Sequence, residues 1–261
     1  MPRDRGRRRD VTADRPLEVV VTGRRAVLEA VRAGVTNQVL VARGARSSSA
    51  LRDVVDAAAS AGVAVRNASR EELDAFAEDH RGVAARVRPP RTLGERELAE
   101  YRFADGAVVV VLDGIEDPQN LGAAARSAEA AGSAMLVTRT RRSADVTSAA
   151  IRASAGALLH LPHARVANIA RAIERLKDLG FTIVGLDERA STSVLDAPPP
   201  DGRLAVVIGS EGTGLARLTR ESCDALVSLP MLGRVGSLNA SASLAAVLYG
   251  WVLPSRRASE P

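Results

Sequence analysis

The sequence has very little cysteine or histidine: one cysteine, Cys223, and three histidines, His80, His160 and His163. A single thiol cannot form a disulfide within the chain, and the histidines lack the spacing of a metal-binding motif. We therefore expect no metal site. No apolar run reaches the roughly 18–20 residues that cross a bilayer, and the first ten residues lack the apolar stretch of a secretory signal. These absences predict a cytoplasmic protein that does not enter the membrane.

Aromatic residues are also scarce, at 2% of 261 residues, and Lys177 is the only lysine. Stacking platforms that grip single-stranded nucleic acid are therefore not expected to dominate any binding surface. The formal charge of +5 nevertheless favours an anionic partner such as nucleic acid. The preference for arginine is equally typical of a GC-rich genome, so the charge alone does not select a function. Residues 1–16 are predicted to form a disordered basic tail that adds non-specific phosphate affinity.

Short apolar segments alternate with helical segments in the first third of the chain. The pattern predicts strands at residues 17–22, 38–42, 63–67 and 83–87, with helices at 24–33, 48–61 and 69–77. This alternation is typical of a small α/β module, which we assign to residues 17–88. Pro89 and Pro90 interrupt it, because paired prolines continue neither a strand nor a helix. A linker is predicted over residues 89–104.

A second α/β module is predicted over residues 105–255, followed by a short tail at 256–261. Its first strand, at 107–112, is apolar on both faces, as in the middle of a parallel sheet. Further strands are predicted at 134–138, 181–186, 204–208 and 225–229, with helices between most of them, the clearest at 166–179. The pattern is that of a doubly wound α/β fold, whose site is expected in the loops at the carboxyl ends of its strands.

The first candidate loop, residues 113–120, leads into a helix predicted at 121–131. Asn120 is placed as the N-cap of this helix. Arg126 lies six residues further on, near the opposite helical face from Leu121 and Ala128. Taken alone, the segment fits a helix cap and a solvated arginine as well as it fits a functional site.

The second candidate loop, residues 208–215, follows a predicted buried strand and contains three glycines. Glycines at this position let the backbone approach a ligand closely, and Gly209 is the first of them. Glu211 stands next to a glycine at the end of a strand, where it contributes little to stability. This makes Glu211 a candidate functional residue.

Three common glycine-loop motifs do not fit the second loop. Leu215 and Ala216 stand where a phosphate-binding P-loop requires Lys and Ser or Thr. Arg217 replaces the third glycine of a dinucleotide-binding fingerprint, which disfavours a nucleotide-dependent dehydrogenase. Ser210 follows a glycine directly and so does not form a nucleophile elbow.

The third candidate loop, residues 229–239, leads into a predicted helix at 240–252 with almost no charge. Such a helix is expected to be buried in the core or against another subunit. Ser237 and Asn239 would lie at its start, where backbone amides and short polar side chains gather.

The three loops together resemble the three motifs of the SpoU (TrmH) methyltransferases, members of the knotted SPOUT superfamily. The matching segments are DPQNLGAAAR at 117–126, VIGSEGTGL at 207–215 and PMLGRVGSLNAS at 230–241. They occur in family order and spacing, and the resemblance covers about residues 107–253. The segments GRRAVLEA at 23–30 and HRGV at 80–83 are similar to the substrate-recognition module of the large-subunit rRNA guanosine branch.

This resemblance implies a C-terminal trefoil knot, a homodimer and S-adenosylmethionine as the cofactor. The implied reaction is methyl transfer to a ribose 2′-hydroxyl of RNA, with a guanosine of 23S rRNA as the target. The implied catalytic residues are Asn120, Arg126, Glu211, Ser237 and Asn239. The implied cofactor-binding residues are Gly209, Leu229 and Leu238.

The role of Arg126 is constrained by chemistry, because a guanidinium stays protonated in nearly all settings. We therefore expect Arg126 to contact the phosphate and the 2′-oxygen and to stabilise developing negative charge there, rather than act as a base. Glu211 is expected to orient either Arg126 or Asn120.

Three positions depart from the family pattern: Arg81 replaces a usual Gln, Leu159 a frequent Glu and Ala240 a common Val. Arg81 lies in the recognition module, so this departure concerns the RNA target and not the chemistry. A tRNA ribose methyltransferase and a non-catalytic RNA-binding assembly factor remain alternatives. The complete polar set of the three motifs favours an enzyme.

Overall fold

The structure, a computed structural model, describes residues 18–234 and 236–258. Two β-sheets follow each other along the chain, and both carry helices, which confirms the α/β class. The predicted basic tail and Leu17, the first residue of the predicted first strand, lie outside the described residues. No helix within these two ranges is long and apolar enough to cross a membrane.

The first sheet has four strands in the order β1-β4-β2-β3. These are β1 (Val19–Thr22), β2 (Thr36–Ala42), β3 (Ala64–Ala68) and β4 (Val83–Val87), with helices α1 (Arg24–Arg32), α2 (Ser49–Ser60) and α3 (Arg70–Asp74). Strand β4 runs antiparallel to both neighbours, whereas β2 and β3 are parallel. Helix α3 is shorter than predicted, because the chain turns after Asp74 and the Phe76 amide donates to the Leu73 carbonyl.

The second sheet has six parallel strands in the order β10-β8-β9-β5-β6-β7. They are β5 (Val108–Asp113), β6 (Met135–Arg139), β7 (His163–Val166), β8 (Phe181–Leu186), β9 (Arg203–Gly209) and β10 (Ala225–Val227). Strand β7 was not among the predicted strands. The structure shows instead that His163 begins a buried edge strand.

The helices of the second module cover both faces of this sheet. They are α4 (Glu95–Glu100), α5 (Pro118–Ala130), α6 (Ser148–Ala153), α7 (Ile169–Asp178), α8 (Arg217–Glu221), α9 (Ala240–Val247) and α10 (Leu253–Ala258). Helices α4, α6, α8 and α10 were not predicted, and α10 includes residues 256–258 of the predicted C-terminal tail. The segment proposed as a linker contains α4, and Leu93 just before it pairs with Ala164 of β7. This segment therefore packs against the second sheet.

Strand β5 shows how the core is divided between the two faces. Val108, Val110 and Leu112 lie in the apolar cluster that includes residues of α5 and α9. Val109 and Val111 lie in the opposite cluster, which includes residues of α7. Because both faces are covered, β5 is fully buried along its length and holds its carboxyl end in a fixed place.

The two modules are in close contact. Leu159, which replaces a frequent Glu, is buried in the apolar cluster that includes residues of both modules. A Cβ atom on Gly156, whose φ is +96°, would lie 2.4 Å from Glu29 Cβ of helix α1. The Nε2 atom of His160 lies 3.0 Å from Glu29 Oε2. Through these contacts the first module packs directly against the second.

The segment between β8 and β9 contacts both the end of β10 and the C-terminal helices. Val194 N donates to Ser228 O at 3.0 Å, and Trp251 Nε1 donates to Ala197 O at 2.7 Å. These contacts tie the segment to the C-terminal part of the module, and the trefoil knot stays a prediction.

Candidate active site

The three candidate loops meet at one edge of the second sheet. From the central strand β5 the chain continues to β6 and β7 on one side, and then crosses to β8 and β9 on the other. A crevice forms outside the carboxyl ends of parallel strands where the strand order reverses in this way, and ligands bind there. The reversal lies between β5 and β9, the strands that precede the first and second loops.

One side chain from each loop joins a closed ring of hydrogen bonds, which we call the amide ring. Asn120 Nδ2 donates to Glu211 Oε1 at 2.7 Å. Asn239 Nδ2 donates to Asn120 Oδ1 at 2.9 Å and also to Glu211 Oε1. The structure thus brings together three of the five predicted catalytic residues, and Glu211 contacts Asn120, one of the two residues that it was expected to orient.

The prediction that Asn120 caps helix α5 is wrong. Asp117 is the N-cap, and its side chain accepts a hydrogen bond from Gln119 N at 3.1 Å, with Pro118 at the first helical position. Proline is favoured at this position because it has no amide hydrogen to leave unpaired. Asn120 therefore lies inside the first turn, where its amide is free to bond across to Glu211.

Asn239 lies at the start of helix α9, as predicted. Its Oδ1 accepts from Ser241 N at 2.9 Å and from Ala242 N at 3.3 Å, which caps α9. Its Nδ2 is then directed to Glu211 and Asn120. The cap fixes which end of this amide faces the ring.

Next to the amide ring lies a cavity of about 570 Å³. Its walls come from the ends of β8, β9 and β10 and from the start of α9. The predicted residues that line it are Gly209, Glu211, Leu229, Ser237, Leu238 and Asn239. Ser237 is exposed and has no hydrogen-bond partner among the described residues, which leaves its hydroxyl free to meet a ligand.

The second loop folds tightly back on itself at the edge of this cavity. A Cβ atom on Gly209 would lie 2.1 Å from the carbonyl carbon of Gly214 and 2.3 Å from Leu215 N. Gly214 N donates to Ser210 O at 2.9 Å. The loop backbone itself therefore requires glycine at 209, before any ligand is considered.

Two buried aspartates that sequence analysis did not single out also shape the site. Asp113, at the end of β5, accepts from Ala216 N at 3.1 Å and lies 3.6 Å from Arg139 Nη1. Asp187, at the end of β8, lies 2.6 Å from Arg220 Nη2 and lines the cavity. Each lies at the carboxyl end of a buried apolar strand. That position in the sequence is the feature from which a role in the site could have been predicted.

Arg126 stands apart from the amide ring. It is exposed on α5 and makes no hydrogen bond or ion pair with any residue in the described ranges. Glu211 therefore contacts Asn120 and does not contact Arg126. The guanidinium is free to meet an anionic ligand.

Cys223 does not offer a nucleophile to this site. Burial raises the pKa of its thiol to about 12, so the thiol stays protonated at neutral pH. Within the described ranges, no group of three or more His, Cys, Asp or Glu side chains is arranged to hold a metal ion. The polar groups at hand are amides, hydroxyls, carboxylates and guanidiniums.

Comparisons with known proteins agree with this arrangement. Residues 107–249 match the model of the SpoU rRNA methylase family, and residues 20–93 match that of RNA 2′-O ribose methyltransferase substrate binding. A protein of Mycolicibacterium vanbaalenii, named an uncharacterized tRNA/rRNA methyltransferase, is 44% identical over 234 residues. The match spans 88% of this chain and 74% of that protein.

Two solved structures share the whole architecture. The SpoU methyltransferase AviRb of Streptomyces viridochromogenes, in complex with AdoMet, has 27% identity and a TM-score of 0.75, covering 93% of this chain and 92% of that one. A structure titled RNA 2′-O ribose methyltransferase has 28% identity and a TM-score of 0.76, covering 93% and 90%. The chain belongs to the SpoU family of RNA methyltransferases.

Proposed function

We propose that this protein transfers a methyl group from S-adenosylmethionine to a ribose 2′-hydroxyl of RNA, with a guanosine of 23S rRNA as the target. The observation that carries the proposal is the amide ring at the mouth of the cavity, where all three motif loops converge. AviRb, which shares this architecture, binds AdoMet. Because its substrate is RNA, we propose that the protein acts in the cytoplasm.

The cavity fits S-adenosylmethionine in size and in chemistry. Its volume of about 570 Å³ lies within the range of small-molecule sites. The side chains of Ile208, Val227 and Leu229 offer apolar surface for an adenosine. The carboxylates of Glu188 and Glu211 line the same cavity and complement a sulfonium cation. Backbone groups near Gly209, Leu229 and Leu238 would hold the cofactor, which supplies an electrophilic methyl group.

The side chains around the cavity have separate roles in this proposal. Arg126 contacts the phosphate and the 2′-oxygen and stabilises negative charge as it develops. Glu211 holds the amides of Asn120 and Asn239 in place, and Ser237 offers its hydroxyl to the ribose. Fixing the 2′-oxygen in line with the methyl group supplies much of the rate enhancement, because it removes the entropic cost of bringing the two together.

The proposal includes a homodimer formed through the second module. Ala242, Ala246, Tyr249 and Gly250 recur at helical spacing and are all exposed. They form an apolar face on α9 and on the π-helical segment Leu248–Val252 that follows it. No described residue covers this face, and small side chains permit close helix packing. The opposite face, which includes Leu244, is buried within the chain.

The proposal also divides labour between the modules, with residues 17–88 selecting the RNA. A match to a substrate-binding model over residues 20–93 supports this division. The cavity supports the assignment of cofactor binding to the second module, because every residue that lines it belongs to that module. The M. vanbaalenii relative is named a tRNA/rRNA methyltransferase, and this name leaves both ribosomal and transfer RNA as candidate substrates.

Two measurements test the proposed reaction. Calorimetry of the purified protein should show S-adenosylmethionine binding, and 2′-O-methylation should be mapped across all RNAs of cells with and without the gene. We expect one 23S rRNA guanosine to lose its methyl group in the deletion strain. A lost methyl group in a tRNA would reassign the substrate, and an unchanged map together with no cofactor binding would refute the reaction.

A further inference from the structure

A loop that the proposed reaction does not use lies beside the active site. Residues 140–147 connect β6 to α6 and begin with the segment Thr-Arg-Arg-Ser. Strand β6 is the direct neighbour of β5, so this loop leaves the same sheet edge as the first motif loop. Ala144 N donates to Ile115 O at 2.8 Å, which joins the two loops directly. We call residues 140–147 the arginine loop.

Both ends of the arginine loop are anchored. Just before it, Arg139 faces the buried carboxylate of Asp113. At its start, Thr140 N donates to Val166 O at 2.8 Å. Arg165 of β7 donates to Thr140 O at 3.1 Å and also forms an ion pair with Asp145. These contacts hold the loop in place against β7.

The anchoring leaves two cations without compensation. Asp145 is the only acidic residue of the arginine loop, and Arg165 already pairs with it. Arg141 and Arg142 are exposed and form no ion pair with any residue of the described ranges. Arg142 adopts a φ of +54°, in the left-handed region that non-glycine residues seldom occupy. Such strain persists only where surrounding contacts fix the backbone, and it is common at functional sites.

We propose that Arg141 and Arg142 form a phosphate-binding element that contacts the RNA backbone next to the target nucleotide. This inference rests on the proposed function for the identity of the ligand. Arginine is suited to the role, because its planar guanidinium pairs with two phosphate oxygens at once. The element complements Arg126, which lies on α5 directly after the first motif loop. Two adjacent phosphates of one strand would then be held on either side of the reacting ribose.

The test measures RNA affinity as a function of salt concentration in the full-length protein. The probe is a labelled 30-nucleotide RNA of mixed sequence, titrated between 50 and 200 mM salt. The variants are Arg141→Ala, Arg142→Asn and the double variant, since asparagine tolerates the left-handed conformation at 142. Arg102→Ala is the matched control: Arg102 is exposed without an ion pair in the described ranges, and it precedes β5 at the opposite edge of the sheet.

Each substitution in the arginine loop should weaken RNA binding about tenfold at low salt. Each should also lower the slope of log K against log salt by about 0.7 to 0.9, the change for one lost phosphate contact. Arg102→Ala should change neither quantity, and S-adenosylmethionine affinity should stay at the parent value in all variants. Affinities and slopes equal to those of Arg102→Ala would overturn the inference.

The outcome is separable from that of the proposed reaction. A parent protein that methylates no RNA, but whose salt slope falls in the loop variants, would refute the reaction and keep the phosphate-binding element. A parent protein that methylates RNA, and whose loop variants bind RNA normally, would support the reaction and refute the phosphate-binding element. Calorimetry with S-adenosylmethionine reports in every case whether the variant has kept its fold at the cavity.

Discussion

Asn239 serves two purposes with one amide group. Its oxygen caps helix α9, and its nitrogen donates to Glu211 and Asn120. A residue at this position therefore needs an acceptor and a donor on one short side chain, which aspartate, serine and threonine do not supply in the same geometry. The helix start and the proposed catalytic residues are thereby positioned by the same bonds.

The residue whose loss should affect methyl transfer most selectively is Arg126. Because Arg126 is exposed and makes no hydrogen bond or ion pair with described residues, Arg126→Ala should leave the fold and cofactor affinity unchanged. Removal of one preorganised donor typically lowers the rate by about 10²–10³-fold, and we expect a loss of at least that size. Single-turnover methylation of the RNA substrate measures it.

Arg126→Lys should fail almost as completely, since an ammonium group cannot make the planar two-point contact. Circular dichroism and calorimetry serve as controls for the fold and the cofactor. A rate close to that of the parent in Arg126→Ala would remove Arg126 from the catalytic set and leave it as a solvated arginine on a helix.

Gly209 gives a second test at the residue scale. Its alanine variant would place a Cβ atom against the backbone of Gly214 and Leu215. Such overpacking typically costs about 1–3 kcal/mol. We expect Gly209→Ala to lower the free energy of unfolding by this amount and to weaken S-adenosylmethionine binding, because the loop that walls the cavity must shift.

Gly233→Ala is the matched control for Gly209, since a Cβ atom there meets open space. It should leave the free energy of unfolding unchanged. If Gly209→Ala is as stable as Gly233→Ala, the loop is more adaptable than its backbone contacts indicate. The cofactor affinity of Gly209→Ala would then show whether glycine is needed at this position only to let the ligand approach the backbone.

At the scale of elements, strand β7 contains a titratable residue that should make stability depend on pH. Burial, and to a lesser extent the charge of Arg165, lowers the pKa of His163 to about 4. Its Nε2 lies 2.8 Å from Thr138 Oγ1 of the neighbouring strand. The unfolded chain, with a pKa near 6.5, binds more protons between these two values, so stability falls as pH drops through this window.

From pH 6.5 to pH 5 this histidine should reduce the free energy of unfolding by about 1.5 kcal/mol. Urea unfolding followed by the fluorescence of Trp251 measures the change. The variant His163→Asn cannot titrate in this range and should show a flatter dependence, whatever its absolute stability. Equal slopes in the parent and the variant would show that His163 is accessible to protons in the folded state.

The last helix provides the test of the dimer. Ala246→Glu places a carboxylate in the centre of the exposed apolar face, where a subunit interface would bury it without a partner. We expect the parent to sediment as a dimer at micromolar concentration and the variant as a monomer. Ala59→Glu, at an exposed alanine of α2 in the first module, should remain dimeric. A dimeric Ala246→Glu would move the interface to another surface.

At the scale of the whole molecule, the two modules have separable tasks but a shared core. Deleting residues 1–90 removes β1 and α1, which pack against the segment that contains Gly156 and Leu159. The truncated protein should therefore have a lower melting temperature. It should still bind S-adenosylmethionine, because the residues that line the cavity lie between 186 and 243.

The same truncation should abolish methylation of the natural RNA. A mixture of the truncated protein and total cellular RNA, assayed with labelled cofactor, tests this expectation. Full activity in the truncated protein would show that the second module selects its own substrate. Lost cofactor binding would show that the first module is needed for the fold of the second.

Much of the secondary structure could be predicted, because it is encoded locally. Period-two and fully apolar runs identified nine of the ten strands found in the described residues, and the strand at 83–87 matches residue for residue. Strand β7 was missed because its four residues include a histidine and an arginine and follow a proline. Their burial depends on neighbours that the local pattern does not contain. Helices α4, α6, α8 and α10, of five or six residues each, were too short to show a period.

By itself, the sequence determined the α/β class, the three motif loops and the family. Only the tertiary structure decided how the loops combine. Asn120 and Glu211 are 91 residues apart, and Asn120 and Asn239 are 119 apart, yet they share one ring of hydrogen bonds. Backbone periodicity reports which face of an element is apolar, but it contains no information on which distant side chains meet. Those contacts depend on strand order, which places β5 beside β9 and brings their loops to the same edge.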